Sequence, residues 1–248
     1  MIELKNASQL ELMRKAGRIV AETLELVREH AKPGVTTLEL DRIAEKYIRS
    51  QGAIPAFKGY NGFPATLCTS VNEQVVHGIP SLRNLDSGDI ISIDCGAHIE
   101  GFFGDSAITL IIGEVDEEIQ RLLKVTEESL MMGIAQARLG NRLYDVSHAV
   151  QKHVEANKFS VVRDYVGHGI GRAMHEDPQI PNFGKPGRGP RLEVGMALAI
   201  EPMVNMGTHE VQTLKDRWTV VTKDNLPSAH FEHTVAITEN GPEILTRL

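Results

Sequence analysis

Four acidic side chains lie inside stretches whose alternation reads as β-strand: Asp94, Asp105, Glu201 and Glu232. In Ile90-Ile91-Ser92-Ile93-Asp94-Cys95-Gly96, the side chains of Ile91, Ile93 and Cys95 point one way and those of Ser92, Asp94 and Gly96 the other. A hairpin turn centred on Ile99-Glu100 predicts that Asp94 lies directly across from Asp105, with Cβ atoms about 4.5–5.5 Å apart. The pattern recurs later. Ala197, Ala199 and Glu201 share one face of Met196-Ala197-Leu198-Ala199-Ile200-Glu201-Pro202, and Glu232 shares a face with Thr234 and Ala236. Carboxylates beside small residues on a strand face are costly, by several kcal/mol each when buried and unpaired, so such sets point to a bound cation. His168, between Gly167 and Gly169, is the proposed fifth member. Four carboxylates and one neutral imidazole balance two divalent ions. An oxygen-rich set with one histidine suits Mn, Fe, Co or a catalytic Zn better than a structural Zn. Two ions so held polarise a carbonyl or phosphoryl oxygen and activate water, which is the chemistry of a dinuclear metal hydrolase.

The elements that position these residues follow from hydrophobic periodicity. A helix opens at a capping box, Ser8-Gln9-Leu10-Glu11, sets Leu12, Ala16, Ile19, Thr23 and Val27 on one face, and stops at Lys32-Pro33-Gly34. A second begins at Thr36-Thr37-Leu38-Glu39. Asp116 caps a third, which stops near Gly140, and a fourth carries Val146, Ala149, Val150 and His153. Strands are expected at 88–97 and 102–112 after the first helix pair, and at 161–166, 194–204, 218–222 and 232–238 after the second. Two helix-helix-strand units in series predict an α+β fold with helices packed on a mostly antiparallel sheet. No linker composition divides the chain, so 1–248 reads as one domain with pseudo-twofold halves at about 8–112 and 116–248.

Composition removes several function classes. The chain has 248 residues, of which 42% are hydrophobic, and no apolar run approaches the ~20 residues of a membrane helix. The amino terminus lacks a basic start followed by an apolar core, so no signal peptide is expected and a cytoplasmic location follows. A net charge of −7 and 5% aromatics argue against DNA or RNA as the main partner. Cys68 and Cys95 are too few for a disulfide scaffold or Cys-rich zinc site and are expected as reduced thiols.

Taken together, Ile93-Asp94, Gly104-Asp105, Gly167-His168-Gly169-Ile170-Gly171-Arg172 with His175-Glu176-Asp177-Pro178, Ile200-Glu201-Pro202 and Phe231-Glu232-His233-Thr234 resemble the type I methionine aminopeptidases. The likeness covers essentially the whole chain. It implies the pita-bread fold, whose two similar halves agree with the repeat. It also implies a two-metal site (Co, Mn, Fe or Zn) of Asp94, Asp105, His168, Glu201 and Glu232, with Asp105 and Glu232 bridging. By the same resemblance, a metal-bound hydroxide attacks the carbonyl after an amino-terminal methionine that precedes a small residue. Glu201 shuttles the proton, His175 steadies the oxyanion, and His77 bonds to the scissile amide. The methionine pocket would draw on Tyr60, Phe63, Cys68, His77 and Trp218, a set of aromatic edges and soft groups suited to a thioether. Phe63 stands where many of those enzymes carry Tyr, and Met174 where an aromatic is common. Cys68 reads as a small buried contact and not as a nucleophile, because no matching histidine activates it. His30, His98, His148, His153, His209 and His230 read as packing or surface residues.

The implied partners are the ends of nascent chains, close to the ribosomal exit tunnel, with the enzyme itself a monomer. Lys185-Pro186-Gly187-Arg188-Gly189-Pro190-Arg191 is a basic segment that reads as a solvated loop before it reads as an RNA contact. Two rival readings make different predictions. Prolidases and aminopeptidases P share the fold type and ligands but carry a sizeable domain before the first metal aspartate, where this chain has two helices and a connecting segment. A non-catalytic binding module of the same fold would have lost a ligand, and all five are present.

Overall fold

The computed structural model describes residues 2–248. Four helices are arranged in two pairs, α1 (Ala7–His30) with α2 (Thr37–Ser50) and α3 (Glu117–Gln136) with α4 (Leu143–Ala156). The capping box of α1 lies two residues earlier than its sequence suggests. Asn6 Oδ1 accepts from Gln9 N–H at 3.0 Å, and Asn6 N–H donates to Gln9 Oε1 at 2.9 Å. Asn caps at least as well as Ser, so Ser8 is drawn into the first turn. The box of α2 is formed by Thr36 and Glu39, as expected. Asp116 occupies the N-cap position of α3 without a side-chain cap bond.

The main sheet has nine strands, all paired antiparallel, with Ile54–Pro55, Ile90–Ile99, Phe102–Ile111, Glu232–Thr238, Ala197–Ile200, Gly167–Gly169 and Glu176–Ile180 side by side in that order. Leu67–Val71 adds to Ile90–Ile99, and Gly241–Ile244 to Glu232–Thr238. Two small three-stranded sheets flank it, one of Ser228–His230, Met203–Asn205 and Ser160–Val161, the other of Val211–Thr213, Val220–Thr222 and Gln74–Val76. The architecture is α+β with a curled antiparallel sheet. Each helix pair buries its own core: Val20, Leu24, Leu40 and Ile48 meet Ile91, Ile93 and Cys95, while Leu122, Leu130 and Val150 meet Leu198, Ile200 and Val235. A third cluster contains Phe57, Phe63, Cys68, Phe102, Met174 and Ala199.

Three details of this fold decide where the acids sit. The hairpin turn is Glu100-Gly101, both at positive φ (50° and 83°), as a two-residue hairpin loop requires. Its centre lies one residue later than expected, so Asp94 pairs with Ala107, and Asp105 with Gly96. The aspartates are diagonal neighbours on one face instead of directly opposed. The expected strand over 194–204 is broken at Glu201-Pro202: Ala197–Ile200 belongs to the main sheet and Met203–Asn205 to a small one. Pro202 has no N–H for a ladder, so the chain leaves the sheet there and Glu201 caps the strand end. Finally, α1 lies against Phe102–Ile111 with backbone on backbone. A Cβ on Gly104 would stand 2.8 Å from Gly17 N. Only glycine there lets the helix cover the strand that carries Asp105.

Two expected elements are trimmed. The strand at 161–166 is only Ser160–Val161, and 218–222 narrows to Val220–Thr222.

Candidate active site

Two adjacent rows of residues cross the main sheet on one face. One runs Asp94, Ala107, Glu232, and the other contains Gly96 with Asp105, then Thr234, Ala199 and His168. Thr234 ties the second row together, its hydroxyl accepting from Asp105 N–H at 3.1 Å and donating to Asp105 O at 2.8 Å. Small side chains thus alternate with ligand-type side chains and leave space between them. The glycines beside His168 serve the same economy of space. A Cβ on Gly167 would lie 2.4 Å from Ala199 O, and one on Gly169 2.1 Å from Asp177 O.

The side chains converge. One oxygen each of Asp105 and Glu232 and one nitrogen of His168 lie within 4.8 Å of one another. His168 Nε2 is 3.9 Å from Asp105 Oδ2 and 3.6 Å from Glu201 Oε1. His168 Nδ1 is 2.9 Å from Gly169 O, which only accepts, so the ring proton belongs on Nδ1 and Nε2 keeps its lone pair for a ligand. Asp94 Oδ1, Asp105 Oδ1 and Glu232 Oε1 are buried with no donor among the described residues. Burial pushes the Asp94 carboxyl up to about 7 and that of Glu201 up to about 8. Asp105 and Glu232 are driven well above the usual carboxylate range by burial and then by their acidic neighbours. His168 is pushed down to about 3 by burial and by His175. Carboxylates so crowded, with oxygens left unpaired and a neutral imidazole beside them, fit divalent cations; the four-oxygen-type, one-nitrogen donor set is suited to Mn, Fe, Co or catalytic Zn.

A cavity of about 200 Å³ opens on these five residues and is lined further by Tyr60, Phe63, Cys68, His77, His175 and Trp218. Every residue singled out from the sequence for this site therefore faces one cavity. Phe63 meets Trp218 edge-on at 5.1 Å between ring centroids, and Trp218 meets His77 edge-on at 6.4 Å. His77 sits at φ 59°, and burial pushes its imidazole down to about 4, so it is neutral at physiological pH. His175 lies 4.2 Å from His168 between ring centroids, and its Nδ1 is 2.8 Å from Tyr60 Oη. The Cys68 thiol is raised well above its ordinary value by burial and by Asp94, which keeps it protonated and inert. Met174 is buried beside the pocket, and a Cβ on Gly96 would stand 3.1 Å from its Cε.

Phe57 and Asn61 also line the cavity, and His230 reaches Glu201 behind it. None was singled out from the sequence. Phe57 and Asn61 fall in a segment without periodicity. His230 had a readable signal, because it precedes Glu232 by two and shares its alternation.

The chain is similar to known proteins along its whole length. Residues 11–239 match metallopeptidase family M24. A methionine aminopeptidase of Clostridium perfringens is 60% identical over 246 residues, which is 99% of either chain. The crystal structure of methionine aminopeptidase from Thermotoga maritima matches with a TM-score of 0.99 and 49% identity over 100% of both chains. The prolidase of Pyrococcus horikoshii shares the fold, with a TM-score of 0.79 at 19% identity, and this chain covers 63% of it.

Proposed function

We propose that this chain, which belongs to metallopeptidase family M24 and within it to the methionine aminopeptidases, removes the amino-terminal methionine from nascent proteins and peptides whose second residue is small. The observation that carries the reading is one cavity shared by two kinds of lining: an aromatic and thiol wall for a thioether, and a cluster of four carboxylates and an imidazole. Two divalent ions would be held by Asp94, Asp105, His168, Glu201 and Glu232. Such ions supply Lewis acidity toward the scissile carbonyl and make water acidic enough to be activated near neutral pH.

The protein's own groups divide the remaining work. Phe63, Trp218, Tyr60 and Cys68 take the methionine side chain, and Phe57 closes the wall. His77, neutral and held by a strained backbone, bonds to the scissile amide. Glu201, at the strand end, carries a proton on its carboxyl from the attacking water to the leaving amine. With Tyr60 Oη donating to His175 Nδ1, the ring proton of His175 resides on Nε2, from which it donates to the developing oxyanion. Each half of the molecule supplies a pair of acids from adjacent antiparallel strands, which favours a duplicated single domain with halves near 8–112 and 116–248. The proposed setting is the cytoplasm, with the enzyme a monomer that meets nascent chains near the ribosomal exit. No helix among the described residues is long and apolar enough to cross a membrane.

The test is to strip the protein with chelator, restore Mn or Co, and assay amino-acid release from peptides beginning Met-Gly, Met-Phe, Leu-Gly and Xaa-Pro. Metal-dependent release of methionine from the Met-Gly peptide, with little from the others, is expected. Cleavage only before proline would replace this reading with a proline-directed one, and silence on all peptides would refute catalysis.

A further inference from the structure

Glu201 is bracketed by two imidazoles, and only one of them belongs to the proposed ligand set. Its Oε1 lies 3.6 Å from His168 Nε2, and its Oε2 lies 3.4 Å from His230 Nε2. His230 is 1% exposed and ends the strand Ser228–His230, where it pairs with Met203, two residues beyond Glu201. Its backbone is pinned on both sides by one hydroxyl. His230 N–H donates to Thr109 Oγ1 at 2.9 Å, and Thr109 Oγ1 donates to His230 O at 2.8 Å. Nε2 of this buried ring has no partner of good hydrogen-bond geometry among the described residues. A buried polar nitrogen left unpaired costs about 1–3 kcal/mol; the Glu201 carboxylate is an acceptor 3.4 Å away, and the Asp94 carboxyl acts on the same ring through space.

The backbone of Glu201 is equally constrained. Asn182 Nδ2 donates to Glu201 O at 3.0 Å, and Pro202 fixes the chain direction after it. What remains free is rotation of the side chain, which decides whether Oε1 faces His168 and the cation site.

We propose that His230 is a positioning residue for Glu201, its Nε2–H donating to Glu201 Oε2 and thereby aiming Oε1 at His168 and the reacting centre. At 3.4 Å the contact is slightly longer than an ordinary N–H···O bond, and a small rotation of either side chain closes it. The inference rests on the aminopeptidase reading and names the group that orients its proton-carrying carboxylate. With Glu201 ionised, as a metal ligand must be, an imidazole with a bare Nε2 would set lone pair against lone pair at the same spot, so the donor tautomer is part of the claim.

The experiment compares wild type, His230→Leu and His230→Gln, each loaded with Co for visible absorption and for steady-state cleavage of a Met-Gly peptide. Outer partners of metal-site residues are worth about 10–100-fold. The Leu variant is expected to lose that much in kcat, with KM near the wild-type value and an altered Co spectrum. The Gln variant, which keeps an N–H donor, is expected to recover most of the rate and the wild-type spectrum. Wild-type kcat and spectrum in the Leu variant would overturn the proposal, and so would a Gln variant as impaired as Leu. If the Leu variant does not fold, imidazole nitrogen NMR of the zinc-loaded wild type decides, with the His230 signal identified by its loss in His230→Gln. A proton on Nε2 that shifts in Glu201→Ala supports the assignment; a bare Nε2 overturns it. A wild type silent on every methionine peptide would instead defeat the activity, while the spectra would still judge the contact.

Discussion

Removing metal should invert the normal pH dependence of this protein's stability. Glu201 is raised by burial from the ordinary carboxylate value to about 8, and Asp94 to about 7. An acid whose pKa is raised on folding binds more protons in the folded state than in the unfolded one, so stability falls as pH rises through the folded pKa. Asp105 and Glu232 are shifted in the same direction. The neutral buried histidines act oppositely: His168 at about 3 and His77 and His233 at about 4 cost stability only when the unfolded state protonates, below about 6.5. The lowered pKa values of Glu22, Glu45 and Glu243, held by Arg18, Lys58 and Arg14, contribute stability that is lost only in acid. The window from about pH 6.5 to 8.5 therefore belongs to the acid cluster. Carrying a single group with a folded pKa of about 8 across it costs roughly 2 kcal/mol, at about 1.4 kcal/mol per unit. With Asp94 added, Tm of the metal-free protein should fall by about 5–10 °C, at about 2–4 °C per kcal/mol for a chain of this size. Thermal melts of chelated protein across that range, repeated with saturating Mn or Zn, measure it. With metal, deprotonated ligands are what binds, so the slope should vanish or reverse. A metal-free Tm that is flat or rises from pH 6.5 to 8.5 would refute the crowded-carboxylate picture.

Three further predictions concern His175 and the residues around it. His175→Ala should lower kcat by about 10²–10³-fold with a smaller change in KM, as expected for an oxyanion donor. Tyr60→Phe should move kcat in the same direction to a lesser degree, and an unchanged kcat in the alanine variant would remove His175 from that role. Lys5 and Glu176 form a buried ion pair, with side chains 4% and 11% exposed, and Glu176 Oε1 also accepts from the backbone N–H groups of Arg172 and Ala173. Lys5→Met leaves Glu176 buried without its cation and should destabilise by about 3–5 kcal/mol in urea melts. A loss under about 1 kcal/mol would show that the pair is solvated in solution.

The parts of this site that are readable from sequence are those built on sheet faces, and the reason is parity. A turn centre misplaced by one residue moves every cross-strand partner by two, which changes who is opposite whom but leaves each side chain on its own face. The hairpin of Asp94 and Asp105 shows this directly: the pairing differs from expectation, yet both carboxyls face the same cavity. Glu201 and Glu232 follow the same rule, although the strand expected over 194–204 overruns Pro202, where the chain leaves the sheet. Two of the three residues that escaped lie where no period operates. Phe57 and Asn61 belong to an irregular segment after a two-residue strand. His175 precedes Glu176, which is tied to Lys5, a residue far away in sequence that nothing local connects to it. His230 is the instructive case, since its alternation with Glu232 was present and its composition was not suggestive. A histidine looks like a packing residue until the acceptor beside it is known, and that acceptor comes from the neighbouring strand. Parity places side chains on faces; only the tertiary fold decides which faces, loops and strand ends meet.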